Sequence, residues 1–469
     1  MHLLSTLRQR QCQQLIIIAA AGVLLLLFYH LYGKVTIDDA RLHAATVQGG
    51  VPNRPLFDDL HLDEKQCRTT FPGLTKDIDD MVALGPFRIA PKPADADSGP
   101  LQVRLQNGRM YIVHHEGKGT LDRGFLDARM AALHQFHRAI LTAPKTDPPF
   151  PDAVFAINVL DGPTNDTLSY SRPAYAASTP GNPLVTRAFL MPHFSFWGWP
   201  ALSFVGSFAQ ATAAVESLER ELPFHRKDPR PVWRGTKRYN SAQHPQMRTN
   251  LLKVAGKASW ADVEELAWAD KGGGDKGNSK TSSPVSTNAL RIEDFCRYKY
   301  TLHTEGITYS GRLQFLQLCE SVLLTPPMAW LQHTTHLVRP LFSSDLLYDK
   351  TGAPSWVASD GVQSAWPVHY SAAEANAVFV APDWSDLEAT VAWLERHPDV
   401  AQGIAQRQRA LFVGGGYFSP AAEACYWRAL IRGWSRVAKS DGPAWLGEPR
   451  GLPWEQFAMG YESGFSSVS

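Results

Sequence analysis

What the sequence lacks narrows it first. It has no excess of either charge: 46 lysines and arginines stand against 45 aspartates and glutamates, a formal net charge of +1. A protein that tracks nucleic acid needs a basic stripe to replace the counterions of the phosphates, so nucleic acid is excluded as a partner. Cysteine is scarce, five in 469 residues. No Cys-x-x-Cys pair or Cys/His cluster with zinc spacing occurs, which removes a zinc site. There is no internal repeat. Asp95-Ala96-Asp97 has the Asp-x-Asp pattern of a divalent-cation site, but it lies among prolines and small residues in PKPADADSG. With no strand to aim it, it reads as solvated loop, and no metal is expected.

What is present begins with an apolar run. From Leu15 to Tyr32 only His30 is polar, with Arg8 and Arg10 before the run and Asp38-Asp39 after it. About 18 such residues at ~1.5 Å each match the ~30 Å hydrocarbon core of a bilayer. Positive charge on the N-terminal side keeps that end cytosolic. Phe28-Tyr29-His30-Leu31-Tyr32 offers no small-residue cleavage signal. The reading is a retained signal anchor at 15–32 with a cytosolic tail at 1–14. A stem follows at 33–60, then a lumenal body at the Golgi or another secretory-pathway membrane. Cys67, Cys296, Cys319 and Cys425 then lie in an oxidising compartment, where four cysteines allow three complete pairings. Asn165-Asp166-Thr167 is a glycosylation sequon in a loop bracketed by Gly162-Pro163.

Beyond the stem, helical and strand patterns alternate. Leu121 to Leu141 is amphipathic, with Phe125, Leu133, Phe136 and Ile140 on one stripe. Ala153 to Leu160 reads as a buried strand ending at Asp161-Gly162-Pro163, and Val185 to Phe194 as another ending at Pro192-His193. Gly206 to Glu221 reads as a helix, and Pro231-Val232-Trp233 as a short strand closed by Arg234-Gly235. The stretch at 270–287 is low in complexity and reads as a flexible insertion. Val378 to Val380 is a strand, and Ser385 to Arg396, Val400 to Leu411 and Pro420 to Arg436 are helical. Alternation on both sides of the insertion predicts two α/β layers with a cleft between them, at 61–225 and 226–440, before a tail at 441–469.

The segment RIEDFCRYKYTLHTEGITYSGRLQFLQLCESVLL, 291–324, is the most informative. Tyr298 to Leu302 is an aromatic and β-branched strand, broken by Glu305-Gly306. Ser310-Gly311-Arg312 then opens a helix with Leu313, Leu316 and Gln317 at helical spacing, and Ser321 to Leu324 returns as strand. Such a strand–turn–helix aims free N–H groups at the strand's carboxyl end, where an anion such as a diphosphate fits. Arg312 adds a forked cation.

Tyr298-Lys299-Tyr300, Thr304-Glu305-Gly306 and Tyr309-Ser310-Gly311-Arg312-Leu313 together resemble the signature of family-90 glycosyltransferases. These are the capsule-associated xylosyltransferase type of fungi, related to the Rumi protein O-glucosyltransferases of animals. Phe71-Pro72-Gly73-Leu74, Leu190-Met191-Pro192-His193-Phe194-Ser195-Phe196-Trp197 and Trp233-Arg234-Gly235-Thr236 fit the same family in the same order. The resemblance runs from about Leu60 to Gly433. It implies a type II membrane enzyme of GT-B architecture, with two Rossmann-like domains facing a cleft. It also implies a UDP-sugar donor carrying xylose or glucose, a glycan or glycoprotein acceptor, and disulfides pairing Cys296 with Cys319 and Cys67 with Cys425. The 14 tryptophans, within an aromatic content of 11%, suit a glycan groove.

Glycosyl transfer needs positive charge on the leaving diphosphate, a pocket for the nucleoside and a base for the acceptor hydroxyl. Arg234 and Arg312 are the candidates for the diphosphate, with backbone N–H groups near Ser310 and Gly311. Gly235 and Gly311 would let phosphates approach closely. Glu305 fits the ribose hydroxyls and Tyr309 the uracil. For the base, fungal members often carry aspartate after Met-Pro, where this chain has His193. The animal branch carries its aspartate ahead of the proline, at a position filled here by Phe189 or Ala188. His193 is therefore expected to replace the acid, with Asp161 as runner-up. Transfer would be inverting and metal-independent. The rival readings are a protein O-glycosyltransferase acting on folded domains and a non-catalytic sugar-nucleotide or glycan-binding membrane protein.

Overall fold

The computed structural model describes residues 54–92, 99–115, 123–175, 187–199, 202, 204–268, 286–348, 351–440, 445 and 450–463. The expected anchor, most of the stem, Asp95 to Asp97 and nearly all of the insertion lie outside them. Among the described residues no helix is long and apolar enough to cross a membrane. Asn53–Ser469 form one compact unit.

Helices α1 (Glu64–Thr70) and α2 (Lys76–Ala83) lead into the first sheet. Its strands are β1 (Leu101–Gln106) and β2 (Arg109–His114), then, after helix α3 (Arg123–Leu141), β3 (Ala153–Ile157), β4 (Thr167–Ser169) and β5 (Ala188–Leu190). β1 and β2 form a hairpin on Asn107-Gly108, both at positive φ, 50° and 71°, as a tight two-residue turn requires. β1 also pairs antiparallel with β3, whereas β3, β4 and β5 run parallel. The C-terminal strand Leu452–Pro453 completes the edge beside β2. This sheet is mixed, so of the two Rossmann-like sheets expected, only the second has the all-parallel form.

Helix α4 (Phe208–Glu221), started by a Ser207/Gln210 capping box, carries the chain to that second sheet. There follow β6 (Asp228–Gly235), α5 (Met247–Ala255), β7 (Asp262–Glu265), β8 (Tyr298–Leu302), α6 (Leu313–Leu316), β9 (Val322–Thr325), β10 (Pro340–Phe342) and β11 (Ala377–Phe379). The order is β10-β11-β9-β8-β6-β7, all parallel. β9 and β11 are buried throughout, as strands covered on both faces are. After β7 the chain crosses back over β6 to lay down β8, so strand order reverses between β6 and β8. In an open parallel sheet, ligands bind in the crevice at the carboxyl ends beside such a reversal.

Helices α7 (Leu387–Arg396) and α8 (Pro398–Arg409) follow, and α9 (Pro420–Val437) starts on a Ser419 cap with proline at its first position. Although its residues follow the second sheet in sequence, α9 packs on the first. The Trp434 indole donates to the Val154 carbonyl at 2.8 Å and lies 5.2 Å from Phe87 and from Phe189. Cys425 of α9 is bonded to Cys67 of α1, and Cys296 to Cys319, the two pairs implied by the resemblance.

One expected element is much shorter. The helix after Ser310 is the single turn α6, continued by tight turns from Leu318 N–H to the Phe315 carbonyl and from Cys319 to Leu316. The bridge from Cys319 to Cys296 draws the chain back before a second turn forms. So short a helix has little macrodipole and offers no strong anion-binding N-terminus.

Candidate active site

The carboxyl ends of β6 and β8 meet at the strand-order reversal. β6 delivers Arg234-Gly235-Thr236 there, and β8 delivers His303-Thr304-Glu305-Gly306. The two ends are tied by the Trp233 indole, which donates to Thr304 Oγ1 at 3.1 Å.

Three arginines stand in this region, and their partners separate them. All three guanidinium nitrogens of Arg234 are occupied. Nε donates to the Asn288 carbonyl, Nη1 to the carbonyls of Trp233 and Asp262, and Nη2 pairs with Asp262 at 2.7 Å and Glu264 at 3.7 Å. Arg234, expected on the diphosphate, staples β6 to β7 instead. Arg312 donates Nη1 to the Arg234 carbonyl and lies over the Phe295 ring. Arg248, which sequence reasoning missed, donates Nε to the Glu305 carbonyl at 3.0 Å and Nη1 to the Thr236 carbonyl at 2.9 Å. Among the described residues neither Arg248 nor Arg312 has an acidic partner. Burial lowers Arg248 to about 9, assisted by the charge of Arg312, and burial lowers Arg312 to about 10. Two half-buried cations with no acidic partner among the described residues thus stand at the ends of β6 and β8, joined there by Arg248.

Glu305 is walled in. It is 2% exposed, Oε1 accepts the Trp330 N–H at 2.8 Å, and Oε2 is buried with no hydrogen-bond partner among the described residues. Burial pushes its carboxyl up to about 8, so it is largely protonated at neutral pH. As placed, it holds the loop before Leu331 and is closed to a ribose. Gly306 turns the chain, its N–H donating to the carbonyls of Thr308 and Tyr309. Ser310 accepts the Arg312 N–H at 3.4 Å.

The expected base is enclosed as well. The strand before Pro192 stops at Leu190, and His193 caps the short turn Phe194–Phe196. Its Nδ1 accepts the Ser195 N–H at 3.2 Å and meets Ser195 Oγ at 2.7 Å, while Gln314 donates to that oxygen at 2.5 Å. The ring is 2% exposed among Tyr170, Phe194, Trp199 and Tyr309, and burial, with His333 nearby, lowers it to about 3. Its basic nitrogen is engaged and faces no open space. It lies against Gly311, where an added Cβ would sit 2.5 Å from His193 Cε1. Gly311 is thus required by packing of the imidazole, as Gly235 is by the Trp233 ring at 2.4 Å.

Asp161 is different. It follows β3 in an exposed turn, and its carbonyl accepts Thr308 Oγ1 at 2.8 Å, which joins the end of β3 to the motif after β8. Its charge reaches Tyr170 and Tyr309, both held above the usual phenol range by burial first and by Asp161 next. Tyr309 is buried beside Tyr170 and His193, so it lines the floor between the two sheets.

Residues 63–343 match the profile of glycosyl transferase family 90, well over half of the chain. The chain belongs to glycosyl transferase family 90. It is similar to an O-glucosyltransferase rumi homolog of Aedes aegypti, 23% identical over 260 residues, covering 54% of each chain. It is also similar to the O-glucosyltransferase rumi of Drosophila melanogaster, 22% identical over 54% of this chain and 53% of that one. Protein O-glucosyltransferase 1 of Bos taurus is 22% identical over 61% of this chain and 63% of its own. The chain spans about half the length of the first curated relatives it matches.

Within the family-90 region, other motifs serve the scaffold. The Pro72 carbonyl accepts the Tyr417 hydroxyl at 2.6 Å, and the Gly73 carbonyl accepts His336 Nε2 at 2.8 Å. Asn165 is exposed, its side-chain oxygen taking the Arg187 N–H at 3.1 Å. The one signal for Arg248 was slight, a basic residue in the first turn of the helix after Trp233-Arg234-Gly235.

Proposed function

We propose that this family-90 protein transfers a sugar from a UDP-sugar to a hydroxyl of a glycan or protein, by single displacement with inversion. One observation carries the reading. Arg248 and Arg312 lack acidic partners among the described residues and meet at the strand-order reversal, where a nucleotide diphosphate fits a parallel sheet. They supply the charge that the leaving group needs, so no metal is invoked. Tyr309 lines the same floor. Asp161 takes the acceptor's proton, because it is exposed at a strand end beside the motif, whereas His193 has its basic nitrogen engaged.

Xylose and glucose are the sugars to test first, the latter because the similar proteins are named O-glucosyltransferases. Two disulfides fit an oxidising compartment and hence a lumenal body. Anchoring by 15–32 in a Golgi membrane completes the reading. UDP release, measured over a panel of UDP-sugars with and without glycan and folded-domain acceptors, tests it. Acceptor-dependent release that survives EDTA is the expected result. Binding without release would make the protein a sugar-nucleotide binder, and release restored only by manganese would overturn the metal-free site.

A further inference from the structure

The row of side chains on one face of β8 and its continuation carries more than the donor reading uses. By the period of two, Thr301 and His303, whose N–H still pairs with the Leu324 carbonyl, share that face, and Glu305 follows two residues beyond His303. They are 0%, 2% and 2% exposed, and each keeps a buried atom without a hydrogen-bond partner among the described residues: Thr301 Oγ1, His303 Nδ1 and Glu305 Oε2. Buried polar atoms are almost always paired, so three in a row call for a partner that arrives later. His303 is the middle one, at the carboxyl end of β8, beside the two arginines.

We propose that His303 binds a proton from solvent when the donor's diphosphate docks on Arg248 and Arg312, and so becomes a third cation of the donor site. The proposal rests on the donor reading above. In the unliganded protein the imidazole is neutral, because it is buried and because Arg312 and Arg248 repel a further positive charge. On the flanking strands Arg234 of β6 is neutralised by Asp262, Asp228 and Arg230 pair with each other at the far end of β6, and β9 carries no ionisable residue. Glu305, two residues on, is the remaining titratable group of the row. A nucleoside diphosphate sugar carries two negative charges, which cancel the two arginines and remove the repulsion that keeps a proton off His303. The product of uptake is an imidazolium with both nitrogens protonated. When the bond from sugar to diphosphate breaks, the departing phosphate gains one more negative charge, and the imidazolium opposes it. The unliganded site is spared a third buried cation.

Titration calorimetry with UDP-xylose and UDP-glucose tests this, since their phosphodiesters do not titrate between pH 5 and 8. Runs in buffers of different ionisation enthalpy report the protons exchanged. At pH 6 the wild-type protein should take up ~0.7 proton or more per donor bound, and by linkage bind the donor at least ~3-fold more tightly than at pH 8. Glu305, held up at about 8, is already protonated at pH 6 and adds nothing there. His303→Asn should still bind the donor, with no uptake at pH 6 and an affinity that hardly changes with pH. Donor binding without proton exchange in the wild-type protein overturns the proposal, and so does exchange that persists in His303→Asn. If the variant does not fold, the wild-type measurement alone decides. If neither donor binds the wild-type protein, the donor reading falls and this inference with it.

Discussion

At the scale of single residues, the decisive property is not identity but what a side chain already holds. Arg234 and Arg248 are both arginines near the end of β6, yet the first has every nitrogen engaged and the second has no acidic side chain as partner among the described residues. Lysine at 248 or 312 keeps the charge and loses the fork. Either change should weaken UDP binding ~10-fold or more, about 1.4 kcal/mol, with a nearly unchanged melting temperature. Arg234→Lys should do the reverse, since Asp262 and three carbonyls lose their donors; normal stability with lost UDP affinity would return Arg234 to the phosphate site. Asp161→Asn should lower turnover ~10²–10⁴-fold while leaving donor affinity alone, the usual range for a lost general base. His193→Ala should instead lower stability, because the Ser195 N–H and the Ser195 hydroxyl, which Gln314 holds, lose their partner. If purified His193→Ala were as inactive as Asp161→Asn at full folding, the base would be His193 after all.

Among elements, the turn between β8 and β9 is the sensitive one. Its single-turn helix α6 gives little dipole, so on the proposed donor reading the charge must come from Arg248 and Arg312. Packing holds the turn in place, with His193 lying where a side chain on Gly311 would be. Gly311→Ala therefore drives a methyl into the imidazole, and overpacking of this kind costs ~1–3 kcal/mol. The melting temperature and UDP affinity should fall together, because Arg312 is the next residue. A variant with lowered stability and intact affinity would separate the turn from the donor site. Local chemistry also explains what was legible here. β8 was read to the residue, Tyr298 to Leu302, because its pattern is short, apolar and bounded by Glu305-Gly306. The β1–β2 hairpin was overlooked although Asn107-Gly108 marks it, and that hairpin is what makes the first sheet mixed.

For the whole molecule, buried histidines set the response to acid. His193, His303 and His333 are each held near 3, chiefly by burial, against an ordinary 6.5. Between those values the unfolded chain binds protons that the folded chain refuses, so stability is lost as pH falls below about 6.5. Glu305 works the other way: held up at about 8 against 4.5, it keeps a proton when folded and loses stability as pH rises through that window. His134, His137 and His244 are lowered by burial as well, so the histidines outweigh Glu305 and the net is a loss of stability as pH falls below about 6. Melting temperature should therefore drop steeply from pH 6.5 to 5 without ligand; a flat profile would mean that these rings are not neutral and buried. The disulfides add a second handle. Reducing Cys296–Cys319, which closes 23 residues, should cost ~3 kcal/mol on the chain-entropy estimate.

The sequence by itself determined the alternation of elements, the ends of β8, the course of α9 and the family. These rest on apolar periodicity, turn residues and motif order, all local properties of the chain. The two disulfides were implied by the resemblance and are present. Tertiary structure alone decided the site. The acid that neutralises Arg234 lies 28 residues away on β7, and the rings that enclose His193 come from β4's end, the turn after Phe196 and the motif after β8. Charge compensation and burial are sums over neighbours in space, and no spacing along the chain records which neighbours those are.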